Sequence, residues 1–121
     1  MSQSFQNYIA GAWVDGGSQI ENRNPSDLSD LIGMFAQATP DQLEATLDQA
    51  RIAQAEWEAY GIERKYNVLM AIGNEMMSRA EELGTLLARE EGKPIVEGKG
   101  EVYRAGQFFT YYAAETLRQM G

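Results

Sequence analysis

Cysteine and histidine are both absent from this chain of 121 residues. Without cysteine there is no disulfide, no thiolate metal site and no thiol nucleophile. Without histidine the commonest general base and metal ligand is gone too. A serine triad therefore lacks its base, although Ser, Asp and Lys are present. Basic residues are few, 10 against 18 acidic ones, for a net charge of -8. A surface that negative repels phosphate backbones and anionic lipid, which argues against nucleic acid and membrane surfaces as partners. The longest apolar run, Val68 to Ile72, is far below the roughly 20 residues needed to cross a bilayer. Met1 to Gln6 is polar and has no basic stretch leading into an apolar one, so no secretory leader is expected. A cytoplasmic location follows as the expectation.

What is present divides by period. Tyr8, Ile9, Trp13 and Val14 are β-favouring residues around Gly11, and the run Asp15, Gly16, Gly17 offers the positive φ of a tight turn. A return strand over Ile20 to Asn24 is stopped by Pro25, Ser26 and Asp27. Leu31, Ile32, Met34 and Phe35 form another short extended run, weakened by Gly33. Residues 1–38 are thus expected to form an antiparallel β meander.

From Thr39 the period becomes helical. Thr39 is a suitable N-cap, Pro40 suits the first helical position and Asp41 suits the first turn. Leu43, Leu47, Ala50, Ala53 and Trp57 form one stripe that closes at Gly61. A second helix is predicted from Ile62 to Met77, with Met70, Met76 and Met77 as packing residues. A third is predicted from a Ser78/Glu81 capping box to Gly92, ahead of Pro94. A fourth should run from Pro94 or Ile95 to about Gln119. Gly98, Gly100 and Gly106 lie inside that fourth helix, each costing about 1 kcal/mol relative to alanine. Small residues on a packing face would offset this by admitting a close partner, expected largely beyond residue 121. The fold class is α+β: the meander of 1–38, then about four helices over 39–121, as one partial domain.

Several candidate sites have plainer readings. Gly98 and Gly100 fail the dinucleotide fingerprint, since Tyr103 stands where its third glycine belongs and no buried strand precedes them. The pairs Glu81/Glu82 and Glu90/Glu91 point about 100° apart on a helix and suit a solvated face. No residue is assigned as catalytic or as binding a cofactor.

The order of short segments nonetheless resembles the N-terminal part of the NAD(P)-dependent aldehyde dehydrogenase superfamily. The likeness runs through Tyr8 to Val14, Asn24 to Asp27, and Ile32 and Gly33 before Phe35. It continues through Ala50, Arg51, Ala53 and Trp57, then Arg79, Glu81, Glu82, Leu83 and Leu87. It ends in Glu91 to Pro94 with Glu97, Gly100, Glu101 and Val102. Within the superfamily the chain is most similar to bacterial semialdehyde dehydrogenases such as those acting on α-ketoglutaric semialdehyde.

The resemblance implies oxidation of an aldehyde to a carboxylate by a cysteine thiolate, a glutamate base and an oxyanion-binding asparagine. None of these groups can be placed on this chain. Scaffold does carry over, as part of a Rossmann-like α/β cofactor-binding domain. No cofactor is expected on the chain alone, while NAD or NADP is implied for the full-length family, as is a homo-oligomer. A structural monovalent cation is also implied, held by the backbone carbonyls at Asn22 and Arg23 and by the Glu90 carboxylate. The leading expectation is an N-terminal segment, inactive alone, whose partner is the remainder of such an enzyme. The alternative is a small non-enzymatic helical domain that associates with a partner chain.

Overall fold

The computed structural model describes residues 3–118, which fall into two compact units dividing between Ala59 and Tyr60. The first unit holds five strands and a helix: β1 Ser4–Phe5, β2 Asn7–Ile9, β3 Ala12–Val14, β4 Ser18–Arg23, β5 Leu31–Gln37 and α1 Pro40–Ala59. The second holds α2 Ile62–Ser78, α3 Ala80–Glu91 and α4 Ile95–Thr116. A strand-rich opening followed by four helices is the α+β order that the residue pattern predicts.

The strands make two small sheets. β2 and β3 form a hairpin whose two-residue loop is Ala10 and Gly11, with φ of 50° and 83°. Positive φ at both central residues matches the right-handed strand twist. The left-handed turn therefore sits at Ala10 and Gly11, whereas the sequence reading put it at Gly16 and Gly17. Gly16 serves another purpose, since a Cβ there would collide with the backbone of Gln37. The Gly17 amide donates to the Gln37 carbonyl at 3.0 Å, so this corner ties the chain to the end of β5.

The second sheet has the order β1-β5-β4. β4 and β5 are antiparallel, as predicted, with a register shift between Asn22 and Arg23. β1 adds a parallel edge to what the sequence presents as an antiparallel meander. Two residues with no apolar alternation gave no signal for it. Phe5 fixes it in place by stacking on Phe35, ring centroids 4.7 Å apart.

Thr39 caps α1 as expected, and the structure adds a reciprocal bond. Thr39 Oγ1 accepts from the Gln42 amide at 3.2 Å while Gln42 Oε1 accepts from the Thr39 amide at 2.9 Å. Two donors that the helix start would leave unpaired are satisfied, an arrangement worth about 1 kcal/mol. The apolar stripe of α1 buries nothing, and Leu43 and Ile52 stay more than half exposed.

In the second unit the Ser78/Glu81 capping box does not form. Ser78 is the last residue of α2, and its hydroxyl donates back to the Glu75 carbonyl at 2.8 Å. α3 starts after Arg79 with no side-chain cap. A short link lets the α2 ladder run on through Ser78, so the serine is used where the first helix ends. Gly92, with φ of 69°, closes α3. α4 ends at Thr116, and the predicted end at Gln119 lies outside the described residues.

The glycine face of α4 meets partners within this chain. Gly98 packs on α3 at Gly84 and Ala88, and Gly106 packs on α2 at Gly73 and Met77. At both crossings backbone meets backbone, which only small residues allow. Ala88, Val102 and Ala113 are buried in this unit. Met70, Met76 and Met77 are half-buried fillers, as the helical spacing predicts.

Candidate functional site

The chain brings no cysteine and no histidine to the described elements. Gly98 and Gly100 lie inside α4 and form no phosphate loop. Among the described residues no group of three or more Asp and Glu is placed to hold a metal ion. No helix there is long and apolar enough to cross a membrane.

Several glutamates of the helical unit engage in surface ion pairs. Arg79 donates to both carboxylate oxygens of Glu82, at 2.7 and 2.9 Å. That hydrogen bonding holds the Glu82 carboxyl below its ordinary range and the Arg79 guanidinium above its own. Glu81 pairs with Lys99. Lys93 reaches both oxygens of Glu101, at 2.7 and 2.8 Å, and also pairs with Glu91. These bonds, Glu101's foremost, raise the Lys93 ammonium above its ordinary value. The triad clips the α3–α4 turn, joining the last residue of α3 to the second turn of α4.

The residues named for a cation come from two elements. Asn22 and Arg23 end β4, at the register shift. The Arg23 guanidinium is engaged by Glu21 at 2.8 Å and the Leu28 carbonyl at 3.1 Å, which leaves the backbone as the part of Arg23 relevant to a cation. Glu90 lies in α3 and is half-buried, not freely exposed.

The concave feature that sequence reasoning missed lies along α4. Arg104, Gln107, Phe108, Tyr111 and Tyr112 line a cavity of about 350 Å³. Their spacing puts them on one helix face, away from the glycine face that meets α2 and α3. Tyr111 and Tyr112 are each 60% exposed, so the face is open. Counting aromatic residues three and four apart from Arg104 would have exposed the stripe.

Comparison with known proteins gives a consistent result. Residues 13–121 match the aldehyde dehydrogenase family. The chain is 30% identical over 120 residues to alpha-ketoglutaric semialdehyde dehydrogenase of Bacillus subtilis, covering 98% of this chain and 25% of that protein. It is 32% identical over 118 residues to the NADP(+) succinate-semialdehyde dehydrogenase GabD of Escherichia coli, covering 96% and 24%. Among solved structures, a 1-pyrroline-5-carboxylate dehydrogenase of Thermus thermophilus superposes with a TM-score of 0.91 at 33% identity, covering 97% of this chain and 23% of that one. The chain thus spans about a quarter of the length of the relatives it matches.

Proposed function

Because the chain belongs to the aldehyde dehydrogenase family, we propose that it is the N-terminal framework of a cofactor-binding domain and is inactive by itself. The observation that carries this reading is the absence of any cysteine from a segment about a quarter of its relatives' length. In the family chemistry a thiolate adds to the aldehyde, hydride leaves to NAD or NADP, and water hydrolyses the thioester. The thiolate that such chemistry needs is supplied by no residue of this chain. Its own residues brace helices and strands, and the exposed apolar side chains of α1 and α4 are the surface on which the remainder would pack. A homo-oligomeric enzyme of the cytoplasm belongs to the same reading.

The names of the relatives in Bacillus subtilis and Escherichia coli support a substrate class, an aldehyde that carries a carboxylate at its far end. Purified chain mixed with succinate semialdehyde and NAD or NADP is expected to give no absorbance of reduced nicotinamide. A rate that rises in proportion to added chain would overturn the framework reading.

The monovalent cation at the carbonyls of Asn22 and Arg23 and at Glu90 also remains a proposal. A register shift interrupts the ladder where those two carbonyls lie, and a half-buried carboxylate is a fitting oxygen donor for a hard cation. The melting temperature is expected to be higher in sodium chloride than in tetramethylammonium chloride at equal ionic strength. Identical melting in the two salts would remove the site.

A further inference from the structure

Asp15 is the single Asp or Asn of this chain that a glycine follows; Asp27, Asp30, Asp41 and Asp48 precede Leu28, Leu31, Gln42 and Gln49. The fold fixes that pair. A Cβ at residue 16 would overlap the Gln37 carbonyl, so no side chain can stand there to shield the Gly16 amide. That amide donates to no group among the described residues, while the next one, of Gly17, is tied to the Gln37 carbonyl at 3.0 Å.

The carboxyl group is equally accessible. Asp15 is exposed and, with Ser4, Phe5, Gln6 and Trp13, lines a concavity of about 390 Å³ that admits water. Gln6 Nε2 donates to its Oδ1 at 2.9 Å, and Oδ2 has no partner among the described residues. The backbone of Asp15 anchors the same corner, because its carbonyl accepts from Gln42 Nε2 at 2.7 Å. β4 begins three residues later, with Ser18 opposite Gln37.

We propose that Asp15 is a modification site at which the chain isomerises to a β-linked aspartate without an enzyme, and that the product unties this corner from the end of β5. The Gly16 nitrogen attacks Cγ of the protonated carboxyl and gives its proton to solvent, and water leaves from Cγ, closing a five-membered imide. Water then adds to either imide carbonyl. Opening at the backbone carbon frees it as a carboxylate and leaves Gly16 linked through Cγ; opening at Cγ restores aspartate. One water leaves and one enters. Glycine favours closure because it has no Cβ to crowd the nitrogen and turns freely in φ and ψ. The product carries one extra methylene in its main chain, about 1.5 Å, and the carbonyl that Gln42 holds leaves the main chain. Gly16 lies too close to the Gln37 backbone to absorb that length.

The test ages the chain in neutral buffer at body temperature. β-Linked aspartate is read by peptide mapping with electron-transfer fragmentation, and by methyl transfer from S-adenosylmethionine with an isoaspartyl methyltransferase. Asp15 is expected to convert about tenfold faster than the other four aspartates, none of which precedes glycine, through a minor species lighter by one water. Asp15→Glu, at an exposed position, should stop conversion, since the six-membered ring closes far more slowly. Gln42→Glu, which keeps the oxygen that serves Thr39 but removes the donor to Asp15, should speed it several-fold. In the converted chain, separated by ion exchange, the Gly17 amide should lose about tenfold of its protection from hydrogen exchange. Conversion at Asp15 no faster than at the other aspartates, or a converted chain in which Gly17 stays protected, would overturn the proposal.

Discussion

A chain carrying Gly98→Leu is expected to lose cooperative melting of its helical unit. A Cβ at residue 98 would collide with the Gly84 carbonyl oxygen and come within 3.2 Å of the Ala88 Cβ and amide nitrogen. The reverse face is equally closed, because a Cβ at Gly84 would lie 2.6 Å from the Lys99 nitrogen. Backbone atoms cannot rotate aside as side-chain tips can, so relief requires α3 and α4 to separate. Overpacking of this kind costs about 3 kcal/mol or more, against a total stability of roughly 5 to 15 kcal/mol for an ordinary domain. Tyrosine near-ultraviolet dichroism should collapse while far-ultraviolet helicity falls only in part. Two residues on, Gly100→Ala should raise stability by about 1 kcal/mol, as helix propensity alone dictates. Equal effects at the two positions, in either direction, would show that α4 does not meet α3 through Gly98.

Gly33→Val is expected to strip β1 from its sheet. Valine is a favoured strand residue, and propensity alone would make this substitution stabilising. A Cβ at residue 33, however, would lie 2.5 Å from Phe5 Cε2 and 2.9 Å from the Gln3 carbonyl oxygen. The Gln3 carbonyl accepts from the Met34 amide at 2.9 Å, so the same displacement breaks that bond and the Phe5–Phe35 stack. A loss of about 2 kcal/mol follows, with the Met34 amide losing protection from hydrogen exchange before its neighbours on the β4 side. A variant that melts higher than wild type, with Met34 still protected, would sink the assignment of β1.

Elements governed by neighbours in sequence were the ones the sequence disclosed. Thr39 and Pro40 start α1, Gly92 and Pro94 part α3 from α4, and the β4–β5 pairing follows from two extended runs joined by a Pro-Ser-Asp turn. Where two local signals competed, the pattern misled. Ser78 could cap a new helix or finish an old one, and the second outcome prevailed because the ladder of α2 was already in place. The cation residues stand in elements far apart in sequence, and no spacing rule joins them. The pairing of Glu101 with Lys93 is not legible in the sequence, because Arg104, three residues along the same helix, offers Glu101 an equally near cation.

The residues themselves determined that this chain brings neither thiol nor imidazole to any chemistry, and that strands precede helices, since composition and hydrophobic period need no third dimension. Tertiary structure alone decided which glycine is a contact and which an opening, and which acid neutralises which base. Gly98 and Gly100 are alike in sequence, as are the possible pairings of Glu101 with Lys93 or Arg104. They are told apart by what the approach of α3 to α4 brings within reach, and distance through space sets both steric overlap and charge pairing.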